Sequence, residues 1–184
     1  MYEINGLASG EWLMKGDTIF NRTVTMMIKV LERFAARLAD RVVVVTDGLR
    51  NYLVSNFSVE ADKISVIPNG VDTKLFYPVN DSGSLEDLRA RLGIQMDEFA
   101  VLFSGNLASW QGIDTLLTSV PIVLKQVPRV KFLIVGDGIL RQHLQATTRK
   151  MNLEKQVLFT GMVRHEQVPR YVNLADLCVS PKRY

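Results

Sequence analysis

Phe99-Ala100-Val101-Leu102-Phe103-Ser104-Gly105-Asn106-Leu107-Ala108-Ser109-Trp110-Gln111-Gly112 runs an apolar stretch of strand length into a loop bounded by two glycines. Behind it, Ile113, Leu116, Leu117, Val120 and Leu124 recur at the spacing of one helix face. The alternation continues downstream: a strand at 130–135, a helix around Leu140, Leu144 and Met151, a strand at 157–160, a short helix after Val168-Pro169 and a strand at 177–180. Strands that alternate with helices predict an α/β fold, a parallel sheet covered by helices on both faces. Ligands of such sheets sit at the carboxyl ends of the strands.

Upstream, residues 22–38 place Met27, Val30, Leu31, Phe34 and Leu38 at the period of an amphipathic helix, with Lys29, Arg33 and Arg37 on another stripe. That basic stripe reads as a solvated face and leaves open a peripheral contact with anionic lipid. The valines of 41–46 predict a buried parallel strand, and Thr46-Asp47-Gly48 turns the chain into a helix over 49–57. A further strand at 64–67 is stopped by Pro68, which has no N–H for a ladder, and by Asn69-Gly70, which tolerate positive φ. The polar run Asn80-Asp81-Ser82-Gly83-Ser84 precedes a helix for which Ser84 and Asp87 resemble a capping pair. The domain boundary is expected between Gly70 and Gly83, dividing the chain into 1–78 and 79–184.

The 184 residues are 47% apolar and 22% charged, as in soluble globular proteins. Apolar runs of about four residues fall far short of the roughly 20 that span a bilayer. The start Met1-Tyr2-Glu3 shows no secretory signal, so a cytoplasmic setting is expected, with the inner face of a membrane open. The lone Cys178 excludes an internal disulfide framework and is expected in the core. A net charge of +3 is too mild to imply nucleic acid. His143 and His165 lack partners at ligand or triad spacing and read as surface or packed residues.

Glycines stand at three predicted strand ends: Gly105, the pair Gly136 and Gly138, and Gly161. Such a glycine permits a tight turn, or lets backbone N–H groups approach a phosphate. The 105–112 loop leads into a helix amino end, so its N–H groups and the helix dipole are candidates for holding a diphosphate. It carries neither Gly-Lys-Ser/Thr nor Gly-x-Gly-x-x-Gly, which excludes the P-loop and dinucleotide fingerprints. Asp137 either accepts hydrogen bonds from a ligand or caps the next helix. Trp110 shields this loop from water or packs against the helix.

Taken together, Ile67-Pro68-Asn69-Gly70-Val71-Asp72 with Phe76 and Pro78, the 105–112 loop, Val135-Gly136-Asp137-Gly138 and Phe159-Thr160-Gly161 resemble glycosyltransferase family 4. Ala175-Asp176 with Val179-Ser180-Pro181, and the opening Tyr2-Glu3-Ile4-Asn5-Gly6, match the same family pattern. The resemblance implies two Rossmann-like parallel-sheet domains of the GT-B type, both present here in part: the end of an acceptor-side domain and the start of a donor-binding one. It implies transfer of a sugar from a nucleotide diphosphate donor with retention, without a metal or other cofactor. The acceptor would be a glycan, a lipid-linked sugar or a small molecule.

By the same resemblance Gly105, Asn106, Gln111 and Gly112 face the donor diphosphate, Gly136, Asp137 and Gly138 lie near the nucleotide, and the backbone of Met162 and Val163 meets the base. The family usually has Arg and Lys where this chain has Asn106 and Gln111, and amide donors make weaker bonds to phosphate than cations do. The family's acidic pair falls beyond Tyr184, so no catalytic residue is assigned and this polypeptide alone is expected to be inactive or nearly so. Two rival readings are a non-catalytic nucleotide-sugar-binding or interaction module and a nucleotide-sugar epimerase of the same architecture.

Overall fold

The computed structural model describes residues 1–13, 18–79 and 82–182; Asn80, Asp81, Arg183 and Tyr184 of the stretches discussed above lie outside them. The chain forms two compact units, Met1–Val71 and a second from Asp72 onward.

In the first unit the strands β1 (Tyr2–Ile4), β2 (Val42–Val44) and β3 (Ile64–Val66) pair in parallel in that order, with Ile4 opposite Val44 and Val44 opposite Val66. Helices α1 (Ala8–Leu13) and α2 (Ile19–Leu38) fill the crossover from β1 to β2. Thr46 caps α3 (Asp47–Tyr52), its Oγ1 accepting the Leu49 N–H at 3.2 Å, and a π-helical turn, Leu53–Phe57, continues it. Ile4, Ala36, Val42, Val44, Leu53, Phe57, Val59 and Ile64 form the buried core.

The helix predicted over 22–38 is present and starts earlier, where Thr18 Oγ1 accepts the Asn21 N–H. Its packed side is not its apolar stripe. Ala36 is its one buried residue among those described, and Glu32 Oε1 accepts the N–H of Ala8 at 2.6 Å and of Ser9 at 3.4 Å. Phe20, Met27, Val30, Leu31, Phe34 and Leu38 stay more than half exposed. The small side chain of Ala36 and the carboxylate that caps α1 choose the packed face, and both act through residues distant in sequence. No helix among the described residues is long and apolar enough to cross a membrane.

The second unit contains α4 (Ser82–Arg91), β4 (Phe99–Ser104), α5 (Ile113–Gln126), β5 (Val130–Val135), α6 (Arg141–Lys150), β6 (Val157–Gly161), α7 (Val168–Leu174) and β7 (Leu177–Cys178). Its sheet is parallel throughout, in the order β6-β5-β4-β7. The period of two along the strands sorts the core into two layers. Val101, Phe103, Phe132 and Ile134 pack with Leu116, Leu117 and Val120 of α5 and Leu144 of α6. Ala100, Leu102, Leu133 and Val135 pack with Leu88 of α4 and Leu174 of α7 on the opposite face.

Cys178 and Ser84 depart from their sequence expectations. Cys178 is exposed rather than in the core, because β7 is an edge strand. Ser84 lies within α4 instead of capping it, and its carbonyl accepts a bond from Arg170 Nη2 at 3.0 Å. The Ala175-Asp176 marker has a structural role at the amino end of β4: Asp176 Oδ2 accepts the Ala100 N–H at 2.7 Å. Arg89 donates to the carbonyls of Leu174, Gln95 and Glu98 around it. Asn173 ties down the segment entering this unit, donating to Tyr77 O at 3.0 Å and accepting the Val79 N–H at 2.8 Å.

Candidate functional site

The carboxyl ends of β4, β5 and β6 are laced together by backbone bonds that extend the ladder past the strands. Gly105 N donates to Val135 O at 3.0 Å and Gly136 N to Gly161 O at 3.0 Å. The loops beyond are joined by Leu107 N to Asp137 O at 2.9 Å and Leu140 N to Leu107 O at 3.1 Å. Leu107 itself is fully buried, anchoring the loop in the core.

This lacing needs glycine at two places. Gly136 adopts φ +130°, and a Cβ there would overlap Gly105 O. A Cβ on Gly138 would meet Asn106 Oδ1 and lie 2.7 Å from both Leu107 N and Leu107 O. The close approach these glycines allow is first of all between the two loops.

Over the laced strand ends lies an open cavity of about 640 Å³ lined by Ser104, Gly105, Asn106, Val135, Gly136, Asp137, Gly138, Met162, Val163 and Val168. Seven of the nine residues singled out in the sequence line it. Gln111 and Gly112 do not: Gln111 Nε2 lies beside Gly105, 3.9 Å from where a Cβ would stand, and Gly112, at φ +66°, turns the chain into α5.

Gly105 N–H is consumed by the sheet, so it is not a free donor. Asn106 N–H donates to no other described residue, and with its side-chain amide and the nearby Gln111 amide it supplies donors around the loop. Among the described residues the lining contains no Lys or Arg, and Asp137 is its only charged member. Asp137 is engaged on both oxygens: Oδ1 accepts the Gly138 N–H at 2.8 Å and Oδ2 pairs with Arg141 Nη1 at 2.7 Å. Arg141 was not singled out from the sequence; its position four residues after Asp137 on a helix start was the available signal.

His143 is exposed on α6, and the His165 ring lies 5.6 Å from that of Phe76, tilted by 57°. Among the described residues no three His, Cys, Asp or Glu side chains converge as metal ligands would.

A strand-end site on a parallel sheet is shared by many families, and comparison with known proteins separates them. Residues 84–184 match the family described as Glycosyl transferases group 1, and residues 17–75 match Glycosyltransferase Family 4. The chain belongs to the group 1 glycosyl transferases. Among related proteins of this kind, alpha-monoglucosyldiacylglycerol synthase of Streptococcus pneumoniae is 30% identical over 84% of this chain and 35% of its own length. UDP-Gal:alpha-D-GlcNAc-diphosphoundecaprenol alpha-1,3-galactosyltransferase of Escherichia coli is 29% identical over 87% of this chain and 41% of its own. Sucrose-phosphate synthase of Thermosynechococcus elongatus superposes with a TM-score of 0.75 at 27% identity, over 99% of this chain and 44% of that one. The parallel-sheet units are therefore of the GT-B type, and the chain spans less than half the length of each of these three proteins.

Proposed function

We propose that the second unit holds the nucleotide end of a nucleotide-sugar donor, and that the whole protein transfers the sugar, with retention and without a metal, to an acceptor bound on the side of the first unit. The observation that carries this reading is the convergence of the Gly105, Gly138 and Val163 loops on one cavity at the carboxyl ends of three parallel strands. In this reading Asn106 N–H and the amides of Asn106 and Gln111 hold the diphosphate, and they stabilise the charge that grows on it as the sugar leaves. The backbone of Met162 and Val163 meets the base. The E. coli relative is named for a UDP-sugar donor, which makes UDP the first nucleotide to try.

Calorimetric titration of the chain with UDP, GDP and ADP, with and without EDTA, tests the site directly. One of the three is expected to bind, unaffected by EDTA. Gln111→Lys is expected to raise the affinity about tenfold, since a charge-assisted bond to phosphate is about twice as strong as a neutral one. Failure of all three to bind at millimolar concentration would sink the reading. In the complete protein, an altered sugar released from donor alone would favour the epimerase, and binding without turnover the non-catalytic module.

The open apolar stripe of α2, with Lys29, Arg33 and Arg37 on a neighbouring stripe, supports a peripheral contact with an anionic membrane, as does the lipid-bearing acceptor in the E. coli relative's name. Co-sedimentation with vesicles rich in phosphatidylglycerol, abolished by Leu31→Glu/Phe34→Glu, is the expected result. Equal recovery of the two proteins in the pellet counts against membrane contact.

A further inference from the structure

We infer that Arg141 is a positioning residue of this site, one that screens the Asp137 carboxylate from the donor's phosphates while pinning the β5 and β6 strand ends together. The inference rests on the donor-site reading above and adds to it a residue outside the cavity wall. Asp137 is the only charged residue among the described residues that line the cavity, and its charge is the wrong one for a diphosphate. Left unpaired, a carboxylate there would oppose binding through like-charge repulsion, which is strongest where a ligand excludes water.

The geometry shows how that charge is contained. Arg141 opens α6, its N–H donating to Gly138 O at 3.0 Å, so the helix start and the glycine turn are one piece. From there Nη1 reaches back to Asp137 Oδ2 at 2.7 Å, while the other carboxylate oxygen is occupied by the Gly138 N–H. The same guanidinium lies against Gly161: a Cβ at 161 would be 3.1 Å from Nη2 and 3.2 Å from Nη1. Arg141 thus bonds to the Asp137 turn and stands beside Gly161, the residue that precedes Met162 and Val163 in the cavity wall. A planar guanidinium can serve both contacts at once, whereas an ammonium can supply only the charge.

The test compares the unaltered chain with Arg141→Met, Arg141→Lys and Asp137→Asn/Arg141→Met, each titrated with whichever of UDP, GDP and ADP the unaltered chain binds and with the parent nucleoside. Arg141→Met is expected to weaken the diphosphate about tenfold and the nucleoside less than about twofold, because only the diphosphate meets the exposed charge. Arg141→Lys is expected to recover part of the loss. The double variant, with the carboxylate gone, is expected to bind the diphosphate within about threefold of the unaltered chain.

Equal losses for diphosphate and nucleoside would mark Arg141 as purely structural and overturn the inference, as would a double variant no better than Arg141→Met. Binding unchanged by Arg141→Met overturns the Arg141 role alone. If the unaltered chain binds none of the three nucleotides, it is the donor-site reading that fails, and this one with it.

Discussion

Gly136→Ala is expected to destabilise the second unit by about 4 kcal/mol, a large share of the 5–15 kcal/mol available to a typical domain. Two costs add. At φ +130° an L side chain is strained, on the order of 1–3 kcal/mol, and the new methyl overlaps Gly105 O, a backbone atom that cannot rotate away. Relief would require the β4 and β5 loops to separate, breaking the bond from Leu107 N to Asp137 O and emptying the position of buried Leu107. Gly93→Ala serves as the control: φ there is +68°, but nothing lies within 4 Å of the added Cβ. Urea unfolding followed by circular dichroism should show a loss of about 1 kcal/mol for Gly93→Ala and several times that for Gly136→Ala. Equal losses would mean that the overlap with Gly105 O is absorbed and the lacing of the loops is looser than described.

Phe57→Ala should cost the first unit about 3–5 kcal/mol, through lost burial and the cavity left behind. The ring is fully buried and meets Tyr52 edge-on at 5.4 Å. It is also the largest member of a small core, and a unit of 71 residues rarely draws more than about 3–5 kcal/mol from one hydrophobic core. The substitution is therefore expected to unfold this unit at room temperature while the second unit stays folded. Methyl signals of Val42, Val44 and Ile64 in an NMR spectrum report the loss, and those of Leu117 and Ile134 its confinement. Val54→Ala, on the same π-helical turn but 37% exposed, should leave all of them in place. Dispersed first-unit methyls in Phe57→Ala would show that the core closes around the gap.

Much of the second unit could be read along the chain. The strands at 99–104 and 130–135 fall where their apolar runs begin and end. The α5 stripe of Ile113, Leu116, Leu117 and Val120 is buried as its spacing implies. These features repeat within a turn of helix or a pair of strand residues, so they are properties of the local chain. The strand-end glycines were visible for the same reason: each ends an apolar run, and a parallel sheet brings such ends to one side.

Other features depend on neighbours far off in sequence. The amphipathic period of α2 specified a helix, but which side packs inward was decided by Glu32 bonding to α1, 23 and 24 residues away. Cys178 sits in an apolar run that implies burial, and its exposure follows from the place of β7 at the sheet edge. Asp176 matched a family pattern without a stated reason, and the reason is an N–H 76 residues earlier.

The opening loop shows the same division. That strand 99–104 runs into a glycine loop and then a helix, and that the chain carries the motifs of its family, is legible along the chain because both lie in contiguous residues. That Gly105 donates its N–H to Val135, that Gly136 and Gly138 are required by the loop lying against them, and that Arg141 pairs with Asp137 emerge only from the folded arrangement. Hydrogen bonds, steric overlap and ion pairing act through space over a few ångströms, and the fold alone sets which residues come within that reach.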